Sequence, residues 1–193
     1  YVDKASITAR LMPEALAIQS ADLSGWLGAH LTMAGTLAKP DGPVTTTLTT
    51  TVQTEDFSVL RPALAALPPV LPAAVSDLLS GPMVISSRLT KEAGGAAQNL
   101  VNMTLGDQAK VDLVLTEQNS ALTAFKARVQ HPNASAVLGQ LGGLALSPEA
   151  SALGALDLYA EGALGQGGLW SVRNMQGHIG NALGLLAGEL TLL

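Results

Sequence analysis

The sequence contains no cysteine, and charged and aromatic residues make up only 13% and 3% of it. Without cysteine the chain has no disulfide, no thiol nucleophile and no thiolate metal site. A net charge of −5 without long charge runs argues against a nucleic-acid-binding surface, which needs clustered lysine and arginine. The remainder is apolar, with 48% hydrophobic residues and a mean hydropathy of +0.34. The chain therefore either encloses a large core or presents apolar surface to something other than water.

The sequence also lacks a membrane-spanning segment and a signal peptide. The apolar, uncharged run at residues 62–76 is shorter than the ~20 residues that cross a bilayer, and it contains four prolines, which break a helix. No basic segment followed by an apolar segment opens the chain, and Tyr1 already lies in a strand-like pattern. We therefore expect a fragment of a longer protein, whose targeting segment lies outside these 193 residues.

No set of residues has the spacing of a catalytic or metal site. Ser24 and Ser171 lack the Gly-x-Ser-x-Gly context of a nucleophile elbow. Asp107 falls in a predicted turn and Asp112 on a predicted solvent face, so they are not expected to act as paired carboxylates. The histidines are far apart in sequence and have no partner at i+2 or i+4: His30, His131 and His178. We expect no enzymatic activity, no cofactor and no metal.

Alternation of apolar and polar residues predicts a series of β-strands, because a period of two is typical of a half-buried strand. Residues 44–53 are rich in threonine, whose branched side chain fits a pleated surface. The Gly106-Asp107 pair predicts a hairpin turn. The other predicted strands are residues 1–11, 16–22, 29–37, 83–90, 98–105, 109–116, 122–130, 156–164, 169–175 and 185–193.

Short helices are predicted after two of these strands. His131-Pro132 ends the 122–130 strand, because proline has no N–H for the ladder, and Asn133 can cap a following helix. The apolar face of that helix would consist of Val137, Leu138 and Leu141. The second predicted helix spans residues 55–67, and Pro72 can open a third. The apolar stripe of the 55–67 helix would consist of Phe57, Leu60, Leu64 and Leu67.

The pattern of strand and corner occurs twice. Val52-Gln53 recurs as Val129-Gln130, and Asn102-Met103 recurs at a slightly shorter offset as Asn174-Met175. The loop at residues 91–97 is expected to account for the shorter second offset. The fold predicted for residues 1–193 is a single β-rich repeat region, mainly β with short helices (α+β). Its strand–short helix–strands units, residues 44–121 and 122–193, would form a repeated antiparallel meander, as a curved sheet or open groove.

Residues 127–142, ARVQHPNASAVLGQLG, resemble the strand, His-Pro corner and leucine-rich helix of the AsmA family of Gram-negative envelope proteins. LGDQAKVDLVL at residues 105–115 and LLAGELTLL at residues 185–193 are similar to the family's repeated strands. The resemblance implies a body on the periplasmic side of the inner membrane, anchored by a helix that this sequence does not contain. It also implies a part in outer-membrane biogenesis and the transport of phospholipid along an apolar groove.

Two functions fit these patterns. The first is a non-catalytic envelope module that holds phospholipid or another acyl-chain ligand, with Val111, Leu113 and Leu115 as candidate groove residues from their alternation. Burial of an acyl chain contributes ~0.8 kcal/mol per CH₂, so such a groove needs no polar contacts. The second is a repeat scaffold that docks envelope proteins through its sheet edges and binds no lipid. Alternation alone does not distinguish a groove face from a closed core.

Overall fold

The computed structural model describes residues 2–26, 28–39, 44–60, 81–92, 95–106, 109–118, 121–135, 153–164, 170–180 and 182–192. These residues form eleven strands and one short 3-10 helix, Phe57–Leu60. The strands are β1 (Lys4–Leu11), β2 (Ala15–Trp26), β3 (Ala29–Ala38), β4 (Thr46–Thr54), β5 (Met83–Lys91), β6 (Ala97–Leu105), β7 (Ala109–Gln118), β8 (Ala121–His131), β9 (Leu156–Leu164), β10 (Trp170–Ile179) and β11 (Ala182–Leu192).

All eleven strands belong to one antiparallel sheet, in which they lie side by side in chain order. Each strand pairs only with the strands before and after it in sequence, so β1 and β11 form the two edges and the sheet is not closed. The prediction of a mainly β, antiparallel meander is therefore confirmed. In such a topology each strand is connected to its direct neighbour in the sheet, by a short segment in most cases and by a long connection after β4 and β8.

The ends of β2 and β10 lie furthest beyond their predicted positions, by four residues each. β2 continues to Trp26 instead of ending at residue 22, and β10 continues to Ile179 instead of residue 175. In β2, Gly25 adopts a φ of +79° and the register with β3 shifts beside it. Glycine tolerates this left-handed conformation, so the strand passes through a bulge and continues beyond its predicted end at residue 22.

The predicted helices fall mostly outside the described residues. Of the helix predicted at residues 55–67, the 3-10 turn Phe57–Leu60 is described and residues 61–67 are not. After β8, Ala134 and Ser135 are helical, and residues 136–141 of the second predicted helix lie outside the described part, as does the segment after Pro72. The described chain is almost entirely strand. His131-Pro132 does end β8, as predicted.

The connections that follow β4 and β8 begin alike. Phe57 and Ala134 occupy equivalent places just after their strands, and both are buried. Their backbone N–H groups donate to the carbonyl oxygens of Gly81 at 2.9 Å and Gly154 at 2.8 Å, and these glycines have similar φ values of +87° and +77°. The second connection is shorter between these equivalent points, since it runs from Ala134 to Gly154. The change in offset therefore lies here and not, as predicted, in the loop at residues 91–97.

The strands after these connections also pair in the same way. β5 pairs with β6 from Met83 opposite Leu105, and β9 pairs with β10 from Leu156 opposite Ile179, so Ile179 is the equivalent of Leu105. The alignment predicted from the two Asn-Met dipeptides would make Gly177, instead of Ile179, the equivalent of Leu105 and is therefore wrong. A shared dipeptide does not fix the pairing of a strand, whereas the turns at its ends do.

The sheet has one apolar and one polar face. Residues directly opposite each other on paired strands lie on the same face, so the register defines each face from β1 to β11. The apolar face carries Val52, Met103 and Val111, and the polar face carries their strand neighbours, such as Gln53 and Asp112. Within the described residues, the buried cluster of Ala29, Phe57 and Met83 lies at the end of the sheet where the long connections begin.

Candidate functional site

The apolar face is organised around a continuous row of aliphatic side chains. One residue from each of eight adjacent strands lies directly opposite the next, and all eight are half-buried. We call this set the apolar row; it consists of Leu23, Leu31, Val52, Ile85, Met103, Val111, Val129 and Leu158. Neighbouring strands are about 4.8 Å apart, so the row is roughly 34 Å long.

A second row lies two residues further along each strand on the same face. It is apolar on the outer strands and polar on the central strands β4 and β5. Met33 and Ala21 lie at one side, Leu113 and Ala127 at the other. Between them, on β4 and β5, stand Thr50 and Ser87. The Ser87 hydroxyl donates to Asn99 Oδ1 at 3.2 Å, so these two polar groups of the apolar face satisfy each other.

Phe125 is a buried aromatic residue of β8, with an exposed fraction of 9%. Its ring lies on Gly162 of the next strand: a Cβ added to Gly162 would stand 2.7 Å from Phe125 Cε1 and would overlap the Ser171 carbonyl oxygen. The glycine thus provides the space that the ring occupies. This contact fixes how β8 and β9 pack at the end of the apolar face away from Phe57.

Phe57 lies at the other end of the strands, where β4 ends and β5 begins. Its side chain is 2% exposed and packs in one cluster with Met83 and Ala29. Four partly buried side chains of the adjoining strands pack against this cluster: Val52, Ile85, Met103 and Leu105. The 3-10 turn after β4 therefore anchors the start of the long connection on the apolar face.

The three predicted groove residues lie together on the apolar face. Val111 is a member of the apolar row, Leu113 lies opposite Ala127, and Leu115 lies opposite Phe125. Sequence reasoning did not name their neighbours across the sheet, such as Met103 and Ile85, because alternation assigns a face within one strand only. The register that aligns the strands was the missing information.

The polar face carries a charged group on its second half. Arg128 Nε donates to Asp157 Oδ1 at 2.9 Å and its Nη2 donates to Oδ2 at 2.5 Å, while Gln130 Nε2 donates to Oδ2 at 3.0 Å. The hydrogen bonds from Arg128 lower the pKa of Asp157 from its ordinary 3.8 to about 2, and they raise the pKa of Arg128. His178 lies directly opposite Asp157 and contributes to the same effect.

A second group lies next to it. Tyr159 donates its hydroxyl to Glu161 Oε2 at 2.8 Å, and Asn174 Nδ2 donates to Oε1 at 3.3 Å. The bond from Tyr159 lowers the pKa of Glu161, and the carboxylate in turn raises the pKa of Tyr159. Asn102 donates to Asp112 at 2.6 Å on the same face. The bonds of Asn174 and Asn102 join neighbouring strands, whereas Tyr159 and Glu161 lie on the same strand. All three contacts are exposed or partly buried, which is typical of a solvated surface.

A depression of about 650 Å³ lies at the loop end of β2, β3 and β4. Ser24 and His30 line it and lie directly opposite each other. His30 Nε2 is 3.0 Å from Asp22 Oδ2, yet no hydrogen bond joins Ser24 to His30 in the described part of the chain. His30 and Asp22 are 44% and 42% exposed. Serine, histidine and aspartate are thus near one another without the contacts that activate a nucleophile.

The other candidates for chemistry remain separate. His131 Nδ1 accepts from the backbone N–H of Asn133 at 3.0 Å, so this ring contacts the corner after β8. Asp107 lies outside the described residues, and Asp112 is exposed on the polar face, as predicted. Among the residues that the structure describes, no group of three or more histidine, aspartate or glutamate side chains is placed to hold a metal ion.

Comparison with family models, curated proteins and solved structures finds no match to this chain. In the described ranges, no helix is both long and apolar enough to cross a membrane.

Proposed function

We propose that the chain is a non-catalytic module that seats the acyl chains of phospholipid on the apolar face of its sheet. The apolar row supports this proposal. Eight adjacent strands each contribute one aliphatic side chain to it, all half-buried, and the described strands form a single sheet, so no second sheet of theirs packs over the row. A contiguous apolar surface of this kind is typical of a site for an apolar partner.

The chemistry of the row suits a flexible hydrocarbon chain. Each methylene removed from water contributes ~0.8 kcal/mol, so a chain lying along part of the roughly 34 Å row gains useful affinity without polar contacts. Met33, Met103 and Met175 lie on this face, and methionine adapts to irregular apolar shapes. Phe57 flanks the middle of the row, where Val52, Ile85 and Met103 pack against its cluster, and Phe125 lies on the same face four residues along β8 from Val129.

The proposed cellular location of this module rests on its resemblance to the AsmA family. The proposed location is the cell envelope, on the periplasmic side of the inner membrane, with membrane association through a segment outside this sequence and a role in outer-membrane biogenesis. The recurring corners after β4 and β8 support the proposed strand–short helix–strands units, residues 44–121 and 122–193. A curved sheet built from such units would form the open groove. The proposal requires no cofactor and no catalytic step.

The test compares two substitutions on neighbouring residues of β7. Leu113 lies on the apolar face and Val114 on the polar face, and both are half-buried. The protein is purified gently from membranes, and its organic extract is analysed by mass spectrometry. Wild type and Val114→Glu, whose new carboxylate would lie opposite Lys126, should carry phospholipid near stoichiometry. Leu113→Glu should lose it, because a carboxylate on the apolar face must be desolvated.

Circular dichroism of each variant establishes that the sheet is intact. A wild-type extract free of phospholipid, from well-folded protein without affinity for liposomes, would contradict the proposal. Retention of lipid in Leu113→Glu would place the binding elsewhere than on the apolar face, and equal loss in both variants would show that the loss is not specific to that face; either result would contradict the proposal.

The second candidate function is a repeat scaffold that docks proteins and binds no lipid. The observation in its favour is that the described sheet has two free edges, β1 and β11. Pull-down of a specific envelope protein by a lipid-free chain would favour it.

A further inference from the structure

The outer edge of β1 has no strand beside it in the described part of the chain. Every residue of β1 is exposed, including Ile7 at 74% and Leu11 at 83%. A free edge presents unpaired backbone N–H and C=O groups that readily accept another strand. On the apolar face, Ala5, Ile7 and Ala9 would extend the apolar rows to this edge.

The recurring geometry indicates which kind of strand belongs there. β5–β7 and β9–β11 are both three-strand meanders, closed at one corner by hydrogen bonds from Gly106 to Pro82 and from Gly180 to Ala155. β1–β3 repeat this order of strands. In the first strands of the three meanders, Ala5, Ile85 and Leu158 occupy equivalent positions in line with the apolar row. β5 and β9 each pair on the outer side with a preceding strand, β4 and β8, whereas β1 has no such neighbour in the described sheet.

We propose that the outer edge of β1 is a docking surface for an extended segment that resembles β4. The segment runs antiparallel to β1. Because Val52 lies opposite Ile85 and Thr50 opposite Ser87, the equivalent residues of the docked segment face Ala5 and Ile7. This inference does not rest on lipid binding.

The charges of β1 favour a docked segment that resembles β4 over one that resembles β8. β1 contains Lys4 and Arg10 and no acidic residue. In the β8–β9 pair, Arg128 binds Asp157, and the position of β1 equivalent to Asp157 is Lys4. A segment like β8 would therefore place arginine beside lysine, whereas β4 carries no charge. The docked segment is neutral or acidic on its polar face.

The experiment adds a capped synthetic peptide with the β4 sequence, Thr46–Thr54, to the full 193-residue chain. Amide hydrogen exchange is followed by NMR. Alternate amides of β1 should exchange about tenfold more slowly at a peptide concentration of about ten times Kd, because only every second N–H of an edge strand points outward. Two control peptides are N-methylated at odd or at even positions, and one of them should lose binding. Unchanged β1 amides at millimolar peptide, or equal binding of both methylated peptides, would overturn the proposal.

Charge selection is tested with the β8 peptide, Ala121–His131, which should bind less tightly than the β4 peptide. Lys4→Glu should strengthen binding of the β8 peptide about fivefold and leave the β4 peptide nearly unchanged. Equal effects on both peptides would contradict the charge argument. Sedimentation of the chain without peptide completes the test. A dimer whose β1 amides are already protected would overturn the proposal, because the occupant would then be a second copy of the chain.

Discussion

Asp157 forms the best-defined polar contact of the described structure. It accepts three hydrogen bonds, two from Arg128 and one from Gln130, and these join β9 to β8. The Arg128 side chain is 51% exposed and that of Asp157 is 30% exposed, so water screens the pair and its contribution to stability is small. The contact specifies the register of the two strands more than it stabilises them.

The pH dependence of this contact is predictable. The pKa of Asp157 is about 2 in the folded chain and near 3.8 ordinarily, so folding is favoured by ionisation of this carboxyl. Its contribution is complete above pH ~4 and is lost as the pH falls towards 2. Asp157→Asn should lower the urea midpoint at pH 7, and the difference from wild type should vanish near pH 2. A difference that is constant between pH 5 and pH 2 would contradict the assignment.

Gly162 is the second residue whose role can be tested singly. Gly162→Ala would place a methyl group against the Phe125 ring and the Ser171 carbonyl, so it should destabilise the fold by about 1–3 kcal/mol. The matched control is Gly177→Ala on β10, whose added Cβ would meet only the mobile end of the Leu158 side chain. Urea denaturation of both variants measures the difference. A control as unstable as the test variant would show that glycine in a strand, and not the contact with Phe125, sets the cost.

At the scale of elements, Phe57 is expected to hold the 3-10 turn after β4 against the sheet. Phe57→Ala removes a side chain that is 2% exposed from its cluster with Met83 and Ala29. Such a cavity typically costs about 3–4 kcal/mol. Ser58→Ala, an exposed neighbour, should change the free energy of unfolding by less than about 1 kcal/mol.

Hydrogen exchange locates the effect of these two variants. Faster exchange in Phe57→Ala should begin at β4 and β5, whose ends the cluster joins. Equal stability of the two variants would show that Phe57 does not hold the turn against the sheet.

The sequence predicted the strands well because each strand has one apolar and one polar face. In β4 the threonine-rich composition predicts the strand, and in β8 the His131-Pro132 pair predicts where the strand ends. The end of β2 was not predicted, since the bulge at Gly25 depends on the pairing with β3. The end of β10 was not predicted because it is set by pairing with β9, which continues to Ile179 opposite Leu156. The helices predicted after β4 and β8 lie largely beyond the described residues.

The candidate site was predictable only strand by strand. Alternation placed Val111, Leu113 and Leu115 on one face of β7, and the structure places all three on the apolar face. It did not show that Val111 stands in one row with Met103 and Val129, because alternation within one strand does not give the register between strands, which turns and bulges set. The sequence also could not distinguish a groove face from a closed core.

For the whole molecule, the central feature is the difference between the two faces of one open sheet. Hydrogen-bonded charged and polar groups occupy the face with Arg128 and Asp157, whereas the opposite face carries the apolar row. An antiparallel sheet tolerates water on one face when its other face is covered by apolar material. In the proposed function, acyl chains supply that cover.

The most direct measurement scans a photo-crosslinking amino acid through residues 110–115 of β7, one position at a time, in protein exposed to phospholipid vesicles. Successive residues of a strand point to opposite faces. Cross-links to phospholipid at Val111, Leu113 and Leu115, with few at Lys110, Asp112 and Val114, are the predicted result. Cross-links at all six positions, or at none, would contradict the claim that the apolar face seats acyl chains.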